Sequence, residues 1–274
     1  MQRLIFKDAR YFQVVFQCLF LCYGIFYLHW DAEWELYLTY MGVSLSLQLA
    51  IEYFTNKHYD SYKSALISSM GLCLLLKTNN LYVAAGAAAI SILSKYILRY
   101  KGKHIFNPSA LGIAVAVWLG GNAWISPGQW GSNAVLFFGV LSLGVIVVTK
   151  VQKLDVTLAF LGTFAALLFA RQIIYQGWPM DYFIQSISTG SLLLFSFFMI
   201  TDPKTTPNHR VARVLWAVAI AGVAFYLTAF KFMNGAPILV LVLAQPLVPL
   251  LDALFKAKRF EWLPKVPVPK LATS

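Results

Sequence analysis

Charge is what this sequence has least of. Charged residues make up 12% of the 274, against 59% hydrophobic, whereas a soluble domain carries about a quarter charged and just under half apolar. A soluble monomer of this content would show water large apolar patches, which such proteins avoid. Acidic residues are the scarcest: there are eleven, and Glu52, Asp155, Asp202 and Asp252 all sit near the ends of apolar segments. Proton and ion relays usually need an ionisable group at depth. There are three cysteines, Cys18, Cys22 and Cys73, all within apolar runs. An iron–sulfur cluster takes about four thiolates in tight spacing, so these read as small buried apolar residues. The four histidines, His29, His58, His104 and His209, lie in or beside loops and are never paired, which argues against a metal or haem site. No Gly-x-Ser-x-Gly, phosphate loop or dinucleotide fingerprint occurs. No catalytic residue and no metal ligand is assigned.

What the chain does have is a succession of long apolar runs. Spanning the hydrocarbon takes about 20 such residues as a helix. Ten segments qualify, at 11–29, 35–55, 61–77, 81–99, 107–121, 132–149, 154–175, 182–201, 212–231 and 235–255. They recur to the C-terminus, so a cleaved signal peptide does not account for them. The expected fold is all-α, a polytopic membrane protein. Lys and Arg collect in cytoplasmic connections of such proteins. With the N-terminus inside, 18 of the 22 fall on that side; Lys77, Arg171 and Lys231 fall outside. Lys95 is expected to snorkel from a helix end. Both termini are then cytoplasmic, in a cell inner (plasma) membrane. The net charge of +11 follows from this bias and implies membrane lipid, not nucleic acid, as partner.

A weak internal repeat is visible. Ser64–Asn80 resembles Gln185–Asp202: each opens with small hydroxyl residues and Gly, turns apolar and closes in a polar turn. Asn107–Val117 likewise resembles Asn234–Pro246. Five segments separate each pair, and five is odd, so the second copy is upside down. Two inverted five-helix repeats follow, at 1–130 and 131–260, with a Pro-rich cytoplasmic tail at 261–274. Inverted repeats hold their site near the midplane, where interrupted segments meet.

Candidate site residues sit at those interruptions. Asn107-Pro108 is a helix start: Asn caps free N–H groups and Pro suits the first helical position. With Ser109 beside it, the start either turns its positive end to a cavity or is an ordinary interfacial cap. Thr189, Gly190 and Ser191 belong to a hydroxyl cluster that either packs helices together or lines a polar cavity. Asp202, before Pro203, ends a helix and braces the turn by accepting N–H bonds or pairing with Lys204 or Arg210. Asn234 stands at the counterpart of Asn107.

These residues carry a family resemblance. Phe106-Asn-Pro-Ser-Ala-Leu-Gly112, the run from Gly190 through Phe198 to Thr201-Asp-Pro203, Thr205, Thr206 and Arg210, and Asn234-Gly-Ala-Pro with Gln245–Asp252 form the pattern. It resembles the RnfD component of the Rnf electron-transport complex and the NqrB component of the sodium-translocating NADH:quinone reductase. The likeness covers roughly residues 60 to 256. It implies ten helices in two inverted halves, similar to urea channels, and flavin-linked electron transfer across a membrane beside other Rnf-type subunits or a redox partner. Members of the family carry FMN esterified to a Thr in the loop between helices five and six, and some also hold riboflavin. Here the matching loop, Gly120–Asn133, contains no Thr, and none occurs between Thr78 and Thr149. Covalent FMN is therefore not expected; a noncovalent flavin, riboflavin or FMN, is the most the resemblance implies. Similarly trimmed relatives in enediyne biosynthesis clusters are presumed transporters. Three readings stay open: an electron-carrying flavoprotein component, a transporter or channel for a small polar or planar solute, and a scaffold that assembles partners.

Overall fold

The computed structural model describes residues 9–55, 61–125, 134–233 and 235–260. The described chain is mostly helical. α1 (Ala9–Phe26), α2 (Trp34–Phe54), α3 (Tyr62–Leu75), α4 (Leu81–Ile97) and α5 (Pro108–Leu119) form its first part. α6 (Ala134–Lys150), α7 (Leu154–Phe169), α8 (Met180–Ile187), α9 (Gly190–Leu194), α10 (Arg210–Lys231), α11 (Ala236–Ala244) and α12 (Val248–Leu254) follow. Wide π-turns extend α7 through Ala170–Tyr175 and α9 through Phe195–Met199. Among the described residues three helices are long and apolar enough to cross a membrane: Leu154–Tyr175, Arg210–Lys231 and Ala236–Leu254. The pair Met180–Ile187 and Gly190–Met199, bent by 46°, makes a fourth if it is one span. The segment expected to run unbroken over 182–201 is thus two helices meeting at Ser188-Thr189.

Small residues set how closely the helices approach. Ala84, Ala87, Ala88 and Ser91 of α4 face Ala110, Gly112 and Ala114 of α5, all buried. A Cβ on Gly112 would lie 2.6 Å from the Ala87 carbonyl oxygen and 2.1 Å from Ser91 Oγ, so only glycine permits this approach. Small-on-small contacts of this kind are how helices pack in lipid, where burying apolar surface gains little. α7 lies along α10 in the same way, with Val156, Phe160 and Phe164 against Ala217, Ile220 and Ala224.

Two short strand pairs fasten the loops. β1 (Leu76–Thr78) pairs antiparallel with β4 (Ala123–Ile125), Lys77 opposite Trp124. β2 (Arg99–Tyr100) and β3 (Lys103–His104) form a hairpin closed by Lys101 and Gly102, both at positive φ, the pattern of a type I′ turn. The core passes through α5 and α11, whose ends meet reciprocally. The Asn107 N–H at the start of α5 donates to Gln245 Oε1 after the end of α11, at 3.0 Å. Gly235, before the start of α11, packs so closely on Ile125, beyond the end of α5, that a Cβ there would lie 2.2 Å from Ile125 Cδ1. The two helices therefore run antiparallel.

Candidate functional site

Two cavities lie at opposite ends of α9 and its π-turn extension. One, of about 180 Å³, is polar: Gln17, Gln48, Ser64, Ser68, Lys95 and His104 line it, with Asn107, Pro108 and Ser109 from α5 and Asp202 and Lys204 from the turn after α9. The other, of about 480 Å³, is walled by Phe164, Leu168, Leu192, Phe195 and Ile238, with Arg171, Gln172, Gln176, Thr189, Ser191 and Thr228 among them. Phe197 and Phe198 face the polar cavity and Phe195 the apolar one. One helix is thus the wall between them.

The polar cavity is built on the start of α5. Asn107 is its N-cap and Pro108 its first residue. Asn107 Oδ1 accepts from the Ala110 N–H at 3.1 Å and from Ser109 Oγ at 3.0 Å, and Asn107 Nδ2 donates to the Met199 carbonyl at 3.3 Å. Asn107 therefore ties the start of α5 to the end of α9. Across the cavity stands Lys95, buried at 4% exposure, its ammonium donating to the Ser64 carbonyl at 2.8 Å and to Ser64 Oγ at 3.1 Å. This corrects the expectation that Lys95 snorkels to an interface: its stem is enclosed between α3 and α4. Gln48 Nε2 donates to Glu52 Oε1 at 2.7 Å and also reaches the Tyr96 hydroxyl. Glu52, read as an interfacial carboxylate, is buried at 1% exposure. Gln17 Oε1, Gln48 Oε1 and His104 Nδ1 are buried without a hydrogen-bond partner among the described residues.

The turn after α9 closes this end. Asp202 Oδ1 accepts the Lys204 N–H at 3.0 Å, and Thr206 Oγ1 donates to the Asp202 carbonyl at 2.6 Å. Arg210, offered as a partner for Asp202, lies instead 3.7 Å from Asp155, which Arg213 holds at 2.6 Å. Lys103 bridges the turn to α12, donating to the Thr206 carbonyl at 2.6 Å and pairing with Asp252 at 2.8 Å. Burial pushes the Asp202 carboxyl up from its ordinary value, against the pull of the Lys204 N–H and the nearby ammoniums. Burial lowers His104 to about 3, aided by the positive charges of Lys204, Arg99 and Lys95, so its ring is neutral near pH 7. Burial likewise lowers Lys153, whose ammonium donates to the Pro207 carbonyl, to about 8.

The eight candidate residues divide between the cavities. Asn107, Pro108, Ser109 and Asp202 line the polar one, and Thr189 and Ser191 the apolar one. Gly190 is buried at the start of α9 and lines neither. Asn234 lies outside the described residues; its neighbours Met233 and Gly235 line the apolar cavity. Lys95, Gln17 and Gln48 were missed, although Gln13 with Gln17 and Gln48 with Glu52 stand at spacings that share one helix face. A signal also existed for Gln172 and Gln176: they are one turn apart, on one face of the end of an apolar helix. Among the described residues no three of His, Cys, Asp and Glu come together.

A 74-residue stretch, 27% of the chain, is 28% identical to the D component of the ion-translocating oxidoreductase complex of Stutzerimonas stutzeri. That stretch covers 21% of the relative's own length. Residues 119–261, just over half of the chain, match the NQR2, RnfD, RnfE family. The matched region contains the turn at Asp202, the start of α9 and both walls of the apolar cavity, and it begins after the Asn107 helix start. Apolar helices of spanning length and a family match over most of the second half lead to one assignment: the chain is a membrane protein and belongs to the NQR2, RnfD, RnfE family.

Proposed function

We propose that the protein is an RnfD-type membrane component of flavin-linked electron transport, holding the polar edge of a noncovalent flavin ring in the polar cavity of about 180 Å³. The observation that carries this reading is the cavity's chemistry. A buried ammonium, the positive end of a helix and three buried polar atoms without partners converge on one space beside aromatic side chains. Buried polar groups are normally hydrogen-bonded, and each unmade bond costs about 1–3 kcal/mol. One of these acceptors suits the single imide N–H of a flavin ring, the amide N–H groups of Gln17 its carbonyl oxygens, and Phe197, Phe198 and Tyr96 its faces. Lys95 and the start of α5 favour negative charge there, on a reduced ring or on the phosphate of FMN. A flavin supplies one- and two-electron redox chemistry when bound; the chain's own residues hold it and keep its charge stable.

In the full reading, residues 1–130 and 131–260 are inverted halves of a ten-helix bundle, and 261–274 is a cytoplasmic tail. The bundle sits in the inner membrane with both termini cytoplasmic and works beside other Rnf-type subunits. The reciprocal meeting of α5 and α11, and the placing of one cavity at each end of α9, support the inverted arrangement. The test is the visible spectrum of the purified protein and of flavin released on denaturation. Flavin near one per chain is expected, with about tenfold weaker retention in Lys95→Met, the scale of one lost charge-assisted bond. Protein free of flavin, purified with its partners and unable to take up riboflavin or FMN, defeats the reading.

A second reading is favoured by the same pair of cavities. A bundle with a cavity at each end of one shared helix has the layout of a carrier for a small planar solute. Uptake of such solutes into proteoliposomes without a redox partner would decide for it.

A further inference from the structure

We infer that the apolar cavity is a second ligand site, for an uncharged flat molecule with N–H donors along one edge, the chemistry of cyclic ureas and nucleobase-like rings. The inference does not depend on a flavin in the polar cavity. About 480 Å³ of space is enough for a fused-ring heterocycle, and Phe164 and Phe195 offer it aromatic walls. The polar groups are specific in kind. Gln172 Nε2 already donates to Ser186 Oγ at 3.1 Å, so its oxygen is what remains. Gln172 Oε1, Gln176 Oε1 and Thr228 Oγ1 are all shut away from water without a partner among the described residues. Two of the three are amide oxygens, which only accept.

The needs of these groups exclude the common alternatives. An acyl chain leaves the acceptors unmet. A quinone has no N–H or O–H to give, so whatever donors meet its carbonyls, the orphaned amide oxygens stay unmet. A cation finds no carboxylate among the described lining residues, where Arg171 is the one charged group. Nor does Arg171 mark an anion site, because its guanidinium lies 4.0 Å from the centre of the Phe230 ring. What satisfies two amide oxygens one helical turn apart is a neutral ring edge bearing N–H groups.

The test uses full-length protein in nanodiscs and equilibrium dialysis of quinazoline-2,4-dione against its 1,3-dimethyl derivative. The two share a ring system and differ in the N–H donors. Sites that hydrogen-bond a ligand reject an analogue lacking the group, so the parent should bind about tenfold or more tightly. The preference should vanish in Gln172→Leu/Gln176→Leu and persist in Lys95→Met. The parent–derivative comparison on wild-type protein needs no variant to fold. Equal binding of both compounds, binding of neither, or a preference that survives the double substitution or is lost in Lys95→Met each overturns the inference.

Discussion

The starts of α5 and α9 each open beside a cavity, yet they are wired differently. At α5 the Asn107 side chain makes three hydrogen bonds and its N–H a fourth, to a residue of a distant helix. At α9 the capping position is Thr189, whose side chain makes no capping bond. One end is a hydrogen-bonded polar framework around a buried cation, with acceptors of Gln17, Gln48 and His104 still unpartnered among the described residues. The other is an apolar chamber with amide oxygens left over. Two helix starts beside cavities thus need not share a chemistry: the first end is organised for charge and the second for shape.

The contrast is most exposed at the caps. Asn107→Ala should destabilise the protein by about 3 kcal/mol, one cap plus buried hydrogen bonds left unmade, whereas Thr189→Ala should cost less than about 0.5 kcal/mol. Denaturation in detergent would show both, and equal losses would erase the distinction. Acid gives the next largest effect. His104 is held neutral in the fold, with its pKa lowered from 6.5 to about 3. Its contribution is present in full above 6.5 and is lost as the pH falls toward 3, because the unfolded chain takes the proton first. By pH 5 the loss is about 2 kcal/mol, and His104→Gln should flatten this limb of the stability profile. Lys95→Met should leave the melting temperature nearly unchanged, because relief of the cost of burying a charge offsets the two bonds lost to Ser64, while flavin retention falls about tenfold. A large loss of stability instead would make Lys95 a structural residue. The smallest effect belongs to the apolar cavity. Its described lining holds no group that titrates between about pH 5.5 and 8.5, so affinity for the neutral dione should change by less than about twofold across that range.

The ends of the apolar segments were legible in the sequence. Runs read at 35–55, 154–175 and 212–231 correspond to Trp34–Phe54, Leu154–Tyr175 and Arg210–Lys231, because the length of an apolar run and its flanking charges are local. The Asn107 cap was legible for the same reason. The break at Ser188-Thr189 was not: its flanks are apolar enough to read through, and the 46° bend arises from packing. The pairing of Leu76–Thr78 with Ala123–Ile125, and the enclosure of Lys95 and Glu52, depend on helices distant in sequence. The division of the candidate residues between two cavities was hidden for one further reason: the sequence does not say which side of α9 each residue faces.

The bond from the Asn107 N–H to Gln245 spans 138 residues, and the Lys103–Asp252 pair spans 149. During synthesis the opening of α5 leaves the ribosome long before either partner exists. Until then its donor must rely on water, on lipid headgroups or on the insertion machinery. The anchorage of the α5 start is therefore finished last, when the closing helices arrive, and a chain halted halfway would carry the Asn107 motif without its bond to Gln245.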